Sequence, residues 1–166
     1  MEKRELNYIK GDLIKLADDG EFDMIIHGCN CFATMAAGIA LPIGKKWPLA
    51  LEVDSITKRG DVKKLGLYTV AHVENRKGGN LLVVNAYTQF HPGRNFKIEY
   101  LHRALIRLRI DFPNMRIGIP LIGCGIGGGN WCEVEYLLQT EFRDMDITVV
   151  VLPQPVKYKI PKGASY

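Results

Sequence analysis

Short apolar runs alternate with longer stretches of mixed polarity along the chain. Six runs rich in apolar and β-branched residues are bounded by turn residues and are expected to form strands: Leu6–Lys10, Asp23–His27, Gly66–Val73, Leu81–Tyr87, Arg116–Leu121 and Ile147–Leu152. Several of these runs are apolar on both faces, as in a sheet covered by helices on both sides. The pattern therefore predicts a layered α/β domain with a largely parallel central sheet.

Three of the intervening stretches are expected to be helical. Apolar residues recur at spacings of three and four in Lys97–Phe112 and in Trp131–Phe142. A third helical stretch lies within Leu49–Arg59 and is entered through Pro48. The turn-forming segment Asn75–Asn80 separates two predicted strands, which indicates a hairpin and hence an antiparallel part of the sheet.

Length and composition indicate one domain. Of the 166 residues, 47% are hydrophobic, which is enough for a single core. We expect the domain over residues 1–152 and a surface tail over residues 153–166, where prolines and lysines occur without periodicity. The net charge of +4 is dispersed, which favours an anionic small molecule over nucleic acid as the partner. We expect a monomer.

The sequence shows neither an apolar segment long enough to span a membrane nor a signal peptide. No apolar run reaches the roughly 18 residues that a membrane span needs. The segment Met1–Glu5 lacks the apolar stretch of a signal peptide. We therefore expect a cytoplasmic protein with no membrane partner, in which the four cysteines are reduced thiols.

Two glycine-rich segments, each after a predicted strand, indicate a phosphate ligand. They are Gly28–Gly38 and Gly123–Asn130. Glycine has no Cβ, so backbone N–H groups of such loops can approach an anion closely. Two loops of this kind on one domain predict a ligand with more than one phosphate.

Two common nucleotide motifs do not account for the second glycine-rich segment. Gly123, Gly125 and Gly128 match G-x-G-x-x-G, but a Rossmann fingerprint opens the first βαβ unit and is followed by an acidic residue at the end of the next strand. Here the match comes late in the chain, and the next strand ends without an acid. A Walker loop is excluded because no Gly-Lys-Ser/Thr follows.

Five blocks, in order along the chain, resemble the macrodomain family: Tyr8–Leu13, Met24–Cys31, Ala37–Ala40, Asn85–Gln89 and Pro120–Gly125. Within that family, His27–Cys31 followed by Ala37–Ala40 is most similar to the branch that removes phosphate from ADP-ribose 1″-phosphate. The resemblance implies a three-layer α/β/α fold with a mixed, largely parallel sheet. It also implies a phosphatase that binds ADP-ribose or ADP-ribose 1″-phosphate and uses no cofactor or metal.

The resemblance assigns binding roles to individual residues. Asp12 is implied to accept a hydrogen bond from the adenine amino group, with Leu13 giving a neighbouring backbone contact. Asn30 is implied to hold the distal ribose. The pyrophosphate is implied to lie along two segments, composed of Gly38, Ile39 and Ala40, and of Gly123, Cys124, Gly125, Ile126, Gly127 and Gly128. From the residues alone, Asp12 also fits a turn cap, and Asn30 fits a left-handed turn position.

The resemblance implies that His27, together with Asn30, carries catalysis. Imidazole titrates near neutral pH and can deliver the proton that cleavage of a phosphate monoester requires. A histidine at a strand end is also commonly a hydrogen-bonded structural residue. An acidic partner is expected, and Glu133 and Glu135 near the second loop are candidates without a firm assignment.

Several alternatives stay open. The chain could be a non-catalytic binder of ADP-ribose-type nucleotides, or a hydrolase that removes ADP-ribose from a modified macromolecule. The resemblance argues against the lysine route of the related glycohydrolases, because Ala86 stands near the place of their lysine and glycine replaces their catalytic aspartate. A metal site at His27, Cys29 and Cys31 has a spacing unlike that of structural zinc.

Overall fold

The six expected strands are present, with small differences at their ends. A computed structural model describes residues 2–153 of the chain, so the expected tail falls outside the described residues from position 154 onward. Within the described part, the strands are β1 (Asn7–Lys10), β2 (Met24–Cys29), β3 (Tyr68–Glu74), β4 (Asn80–Tyr87), β5 (Arg116–Ile119) and β6 (Asp146–Val151).

Two strand ends correct the expectation and shape the site. β2 continues two residues beyond His27, because Gly28 and Cys29 pair with Ala86 and Tyr87 of β4. β5 ends before Pro120, which has no N–H to contribute to a ladder. The first glycine-rich segment therefore begins inside the sheet, and the loop that contains the second segment begins at Pro120, two residues earlier than expected.

The sheet has the order β1-β6-β5-β2-β4-β3. Every neighbouring pair is parallel except β3 and β4, which pair as the expected antiparallel hairpin. Five parallel strands thus end at the same edge of the sheet, and the segments that leave them lie side by side.

Five α-helices are present within residues 2–153: α1 (Leu13–Asp18), α2 (Ala40–Lys46), α3 (Pro48–Ser55), α4 (Ile98–Asp111) and α5 (Trp131–Thr140). The last three confirm the predicted helices, although α3 ends four residues before Arg59. A 3-10 turn at Val62–Lys64 follows it. The pattern did not predict α1 and α2, because six or seven residues are too few to establish a helical period.

The helices cover both faces of the sheet, which confirms the three-layer α/β/α architecture. In β2, Ile25 packs into the core that includes Leu13, Ile43 and Trp47, on the side of α1 to α3. The next residue, Ile26, packs into the other core, with Leu105 and Trp131. Neighbouring side chains along a strand point to opposite faces of the sheet. β2 therefore contributes to a hydrophobic core on each face. Among the described helices, none has the length and apolar character that crossing a bilayer requires.

Candidate functional site

A cavity of about 880 Å³ lies at the edge where the five parallel strands end. Its wall is formed mainly by the segments that leave those strands, at positions 11–14, 28–30, 88–89, 120–127 and 150–152, and by residues 34–40 of the first glycine-rich segment. Open α/β sheets bind ligands in the crevice outside the carboxyl ends of their strands. The position and size of the cavity make it the candidate site.

The cavity brings together most of the site residues expected from the sequence. The expected residues that line it are Asp12, Leu13, Asn30, Gly38, Ile39, Ala40, Gly123, Cys124, Gly125, Ile126 and Gly127. Two expected residues, His27 and Gly128, are not part of the lining.

The Asn30 side chain shapes the first loop. Its Nδ2 donates to Thr34 Oγ1 at 2.8 Å, and its Oδ1 accepts from the Phe32 N–H at 2.8 Å. The loop contains two non-glycine residues in the left-handed region, Ala33 with φ 54° and Met35 with φ 40°. Such backbone conformations are costly and persist where surrounding bonds impose them, most often at ligand sites. Asn30 is thus positioned at the cavity while it stabilises a strained loop.

The second loop wraps around the ring of Phe96. A Cβ on Gly123, which has φ +74°, would lie 2.2 Å from that ring, so only glycine fits. The Gly129 N–H donates to the Gly123 carbonyl at 2.8 Å and closes the loop. Among the described residues, no acceptor is found for the N–H groups of Gly125, Ile126 and Gly127. These three donors are available to an anion in the cavity.

The two loops approach each other across the cavity. A Cβ on Gly38 would lie 3.7 Å from Cδ1 of Ile126. Gly128, expected to contact the pyrophosphate, is not among the residues that line the cavity. It has φ +75°, and a Cβ there would lie 3.1 Å from Cζ of Arg94, so this glycine turns the chain beside Arg94 instead of lining the cavity.

The cavity wall has an unusual charge composition for a phosphate site. Of the described residues that line it, none is lysine, arginine or histidine, and the carboxylates are Asp12 and Asp54. A bound phosphate must therefore be stabilised by backbone N–H groups instead of side-chain cations.

Asp12 lies at the end of the cavity next to β1. Its Oδ1 accepts from the backbone N–H groups of Ile14 at 2.9 Å and Lys15 at 3.3 Å, so Asp12 is the N-cap of α1. The capping role anticipated from the sequence is real. Both bonds use the same oxygen, and Oδ2 takes no part in them.

His27, for which a catalytic role is expected, is not among the residues that line the cavity. Its side chain is fully buried between the sheet and α3, with Nε2 2.6 Å from Oδ1 of Asn85. Burial lowers the pKa of His27 to about 4, an effect that the bond to Asn85 only partly opposes. The structure therefore shows His27 as a buried ring that is neutral at physiological pH, and its catalytic role stays a prediction.

Two buried polar side chains of the wall escaped the sequence analysis. The Asp54 carboxyl accepts from the Tyr87 hydroxyl at 2.7 Å through Oδ1, while Oδ2 has no partner in the described part of the chain. Oγ1 of Thr88 is likewise buried without a partner there. The signal available for Asp54 was its spacing of four residues from Ala50 on α3, which indicates a carboxylate on a buried helix face.

The cysteines near the cavity are not activated. Burial raises the pKa of the Cys29 and Cys31 thiols, and it raises the pKa of Cys124 to about 12. All three stay protonated at neutral pH, whereas nucleophilic attack requires a thiolate. Cys29 Sγ lies 3.7 Å from Nδ1 of His27, but the Cys31 thiol donates to the Gln89 carbonyl at 3.6 Å, and the described residues contain no group of three potential metal ligands.

Similar proteins place this fold and site in context. The chain matches no model of a known protein family. It is 39% identical over 150 residues to an uncharacterized 17.5 kDa protein from the tk-vs intergenic region of Enterobacteria phage T4, and the match spans 87% of this chain and 95% of that protein.

Two further similarities lead to mycobacterial proteins. The chain is 26% identical over 165 residues to a DNA ADP-ribosyl glycohydrolase of Mycobacterium tuberculosis; the match spans 96% of this chain but 43% of that relative. The solved macrodomain of Mycobacterium tuberculosis DarG superposes with a TM-score of 0.69 at 27% identity, and the superposition covers 91% of this chain and 99% of the macrodomain.

Proposed function

We infer that the chain is a member of the macrodomain family, and we propose that its cavity binds ADP-ribose. The observation that carries this proposal is the arrangement of polar groups along the sheet edge. Asp12 lies at the β1 end, and the free N–H groups of Gly125, Ile126 and Gly127 lie in the middle, opposite the first loop. An adenine amino group pairs with a carboxylate, and a pyrophosphate pairs with backbone N–H groups.

We further propose that the protein hydrolyses ADP-ribose 1″-phosphate to ADP-ribose and phosphate. Phosphoryl transfer depends mainly on positioning and on electrostatic stabilisation of the phosphoryl oxygens, which backbone donors can supply. Removal of ADP-ribose from a macromolecule through a covalent lysine needs a lysine in the wall. The described lining contains none, and Ala86 is fully buried in β4.

The experiment is an assay of the full chain with two substrates. We expect release of inorganic phosphate from ADP-ribose 1″-phosphate, and this release should persist in EDTA because the proposed chemistry uses no metal. Release of free ADP-ribose from ADP-ribosylated DNA instead would favour the activity that names the mycobacterial relative. Tight binding of ADP-ribose without release of either product would indicate that the protein is a non-catalytic binder.

A further inference from the structure

The segment over residues 88–96, which follows β4, contacts both glycine-rich loops. Four of its residues are part of the cavity wall. The ring of His91 stacks on that of Phe32 in the first loop, with ring centroids 5.4 Å apart and an angle of 13° between the planes. The N–H of Phe96 donates to the Gly127 carbonyl of the second loop at 3.1 Å. The segment is therefore held by contacts to both loops.

Two amide side chains fix the fold of this segment. Nε2 of Gln89 donates to the carbonyls of His91 at 2.8 Å and Gly93 at 2.9 Å. Oδ1 of Asn95 accepts from the His91 N–H at 2.8 Å. These bonds close the backbone on both sides of Arg94, so the position from which this side chain projects is set before any ligand binds.

Arg94 carries a cation without a partner. Its side chain lies against the second loop, since a Cβ on Gly128 would be 3.1 Å from Cζ and 3.2 Å from Nε of Arg94. The preceding residue, Gly127, lines the cavity. Within residues 2–153, the exposed guanidinium of Arg94 makes no hydrogen bond and no ion pair. A guanidinium presents its N–H groups as a planar fork that matches the oxygens of a phosphate. Arg94 is therefore available to an anion beside the cavity.

The strand order places this segment beyond the distal ribose. The adenine is proposed to lie at Asp12 after β1, the pyrophosphate at the second loop after β5, and the distal ribose at Asn30 after β2. β4 is the next strand beyond β2, at a spacing of about 4.8 Å. In this arrangement, a group attached to the far side of the distal ribose meets the segment over residues 88–96.

A third phosphate needs donors other than those of the second loop. The free N–H groups of residues 125–127 are already assigned to the pyrophosphate, and the described cavity lining contains no lysine, arginine or histidine. A phosphate monoester carries a charge of about −1.5 to −2 at pH 7, which favours a cationic partner. On the basis of the hydrolysis proposed above, we propose that Arg94 binds the 1″-phosphate and determines specificity for ADP-ribose 1″-phosphate over ADP-ribose.

The test compares the two compounds on the full chain and its variants. Initial rates of phosphate release give kcat/KM for ADP-ribose 1″-phosphate, and calorimetric titration gives the Kd of ADP-ribose. Arg94→Ala should lower kcat/KM by about tenfold or more, as for a lost charge-assisted hydrogen bond, and keep the Kd within about twofold of the wild type. Arg94→Lys keeps the charge without the planar fork and should recover part of the loss. Arg107→Ala, at an exposed position of α4 outside the cavity lining, is the matched control and should behave as the wild type.

The outcomes separate this proposal from the function on which it rests. If Arg94→Ala keeps the wild-type kcat/KM, or loses ADP-ribose affinity to the same extent, the role of Arg94 is overturned while the hydrolysis stands. If the wild type binds ADP-ribose but releases no phosphate, the hydrolysis is overturned, and titration with ADP-ribose 1″-phosphate judges Arg94 by the same ratio of affinities. If the wild type binds neither compound, both proposals are overturned. The urea midpoint of Arg94→Ala should equal that of the wild type, since the side chain is exposed and unpaired in the described structure.

Discussion

Nε2 of His27 donates to Oδ1 of Asn85 across 2.6 Å, in the interior between β2 and β4. Asn85 Nδ2 donates to the Ala50 carbonyl at 2.9 Å, which fixes the amide so that its oxygen faces the imidazole. The histidine therefore carries its proton on Nε2. Its Nδ1 is free to accept from the Cys29 thiol 3.7 Å away. His27 thus ties β2 to β4 and, through Asn85, to α3.

Replacement of His27 by alanine should reduce stability more than function. The variant loses a buried ring and leaves the Asn85 oxygen without a donor, which costs about 2–4 kcal/mol. Urea unfolding measures this loss. At a temperature where the variant is folded, ADP-ribose affinity and phosphate release should stay within about twofold of the wild type. A stable His27→Ala protein with a hundredfold lower turnover would instead make this histidine catalytic.

His27 also gives the protein a specific dependence of stability on pH. Its pKa is about 4 in the folded protein and about 6.5 in an unfolded chain, so folding favours the neutral ring. This contribution is fully present above pH 6.5 and is lost as pH falls toward 4, by about 3 kcal/mol. The unfolding free energy of wild type minus that of His27→Gln, measured from pH 7 to 4, should fall by about this amount. A pH-independent difference would show that the ring is not buried as a neutral group.

The two roles of Asp12 can be separated by substitution. Asparagine caps a helix as well as aspartate does. Its Nδ2 would face the adenine amino group, however, and two N–H donors cannot form a hydrogen bond with each other. Asp12→Asn should therefore keep its stability and lose about tenfold in ADP-ribose affinity. Asp12→Ala should lose ADP-ribose affinity and, because the helix cap is removed, about 1 kcal/mol of stability.

A control for these variants is Asp61→Ala. Asp61 accepts from the Lys63 N–H at 3.0 Å and caps the 3-10 turn, away from the cavity. Its loss should affect stability alone. Equal ADP-ribose affinity in Asp12→Asn and wild type, measured by titration calorimetry, would remove Asp12 from adenine recognition.

A negative charge on the second loop should block an anionic ligand. Ile126 is 49% exposed, so Ile126→Asp should fold normally while its carboxylate repels a pyrophosphate held by the neighbouring N–H groups. We expect at least a tenfold loss of ADP-ribose affinity that becomes smaller at high salt. Ile110→Asp, at a 72% exposed position on α4, is the matched control and should bind normally. Equal binding by both variants would place the pyrophosphate elsewhere.

The sequence predicted the layers of the fold because its strands and longer helices have clear periods. The buried runs of β2 and β4 and the spacing of Leu101, Leu105 and Leu108 needed no tertiary information. The short helices α1 and α2 could not be predicted in the same way. The possible cap at Asp12 was visible in the sequence, but a cap alone, without a helical period after it, does not establish a helix.

The misplaced histidine has a geometric cause. The sequence analysis ended β2 at His27, which put the ring at the rim of the site. Pairing with β4 extends the strand to Cys29, so the ring lies two residues, or about 6.6 Å, below the edge of the sheet. Asp54 was overlooked for the converse reason. It comes from α3, outside both glycine-rich segments, and the hydrogen bond from Tyr87 of β4 holds its carboxyl beside the cavity.

A crystal structure of the full chain soaked with ADP-ribose tests the central claim most directly. The account predicts the adenine amino group within hydrogen-bond distance of Asp12 Oδ2, and the pyrophosphate between residues 38–40 and the N–H groups of residues 125–127. The distal ribose should lie next to Asn30. An empty cavity at saturating ligand, or ADP-ribose bound outside it, would contradict the account.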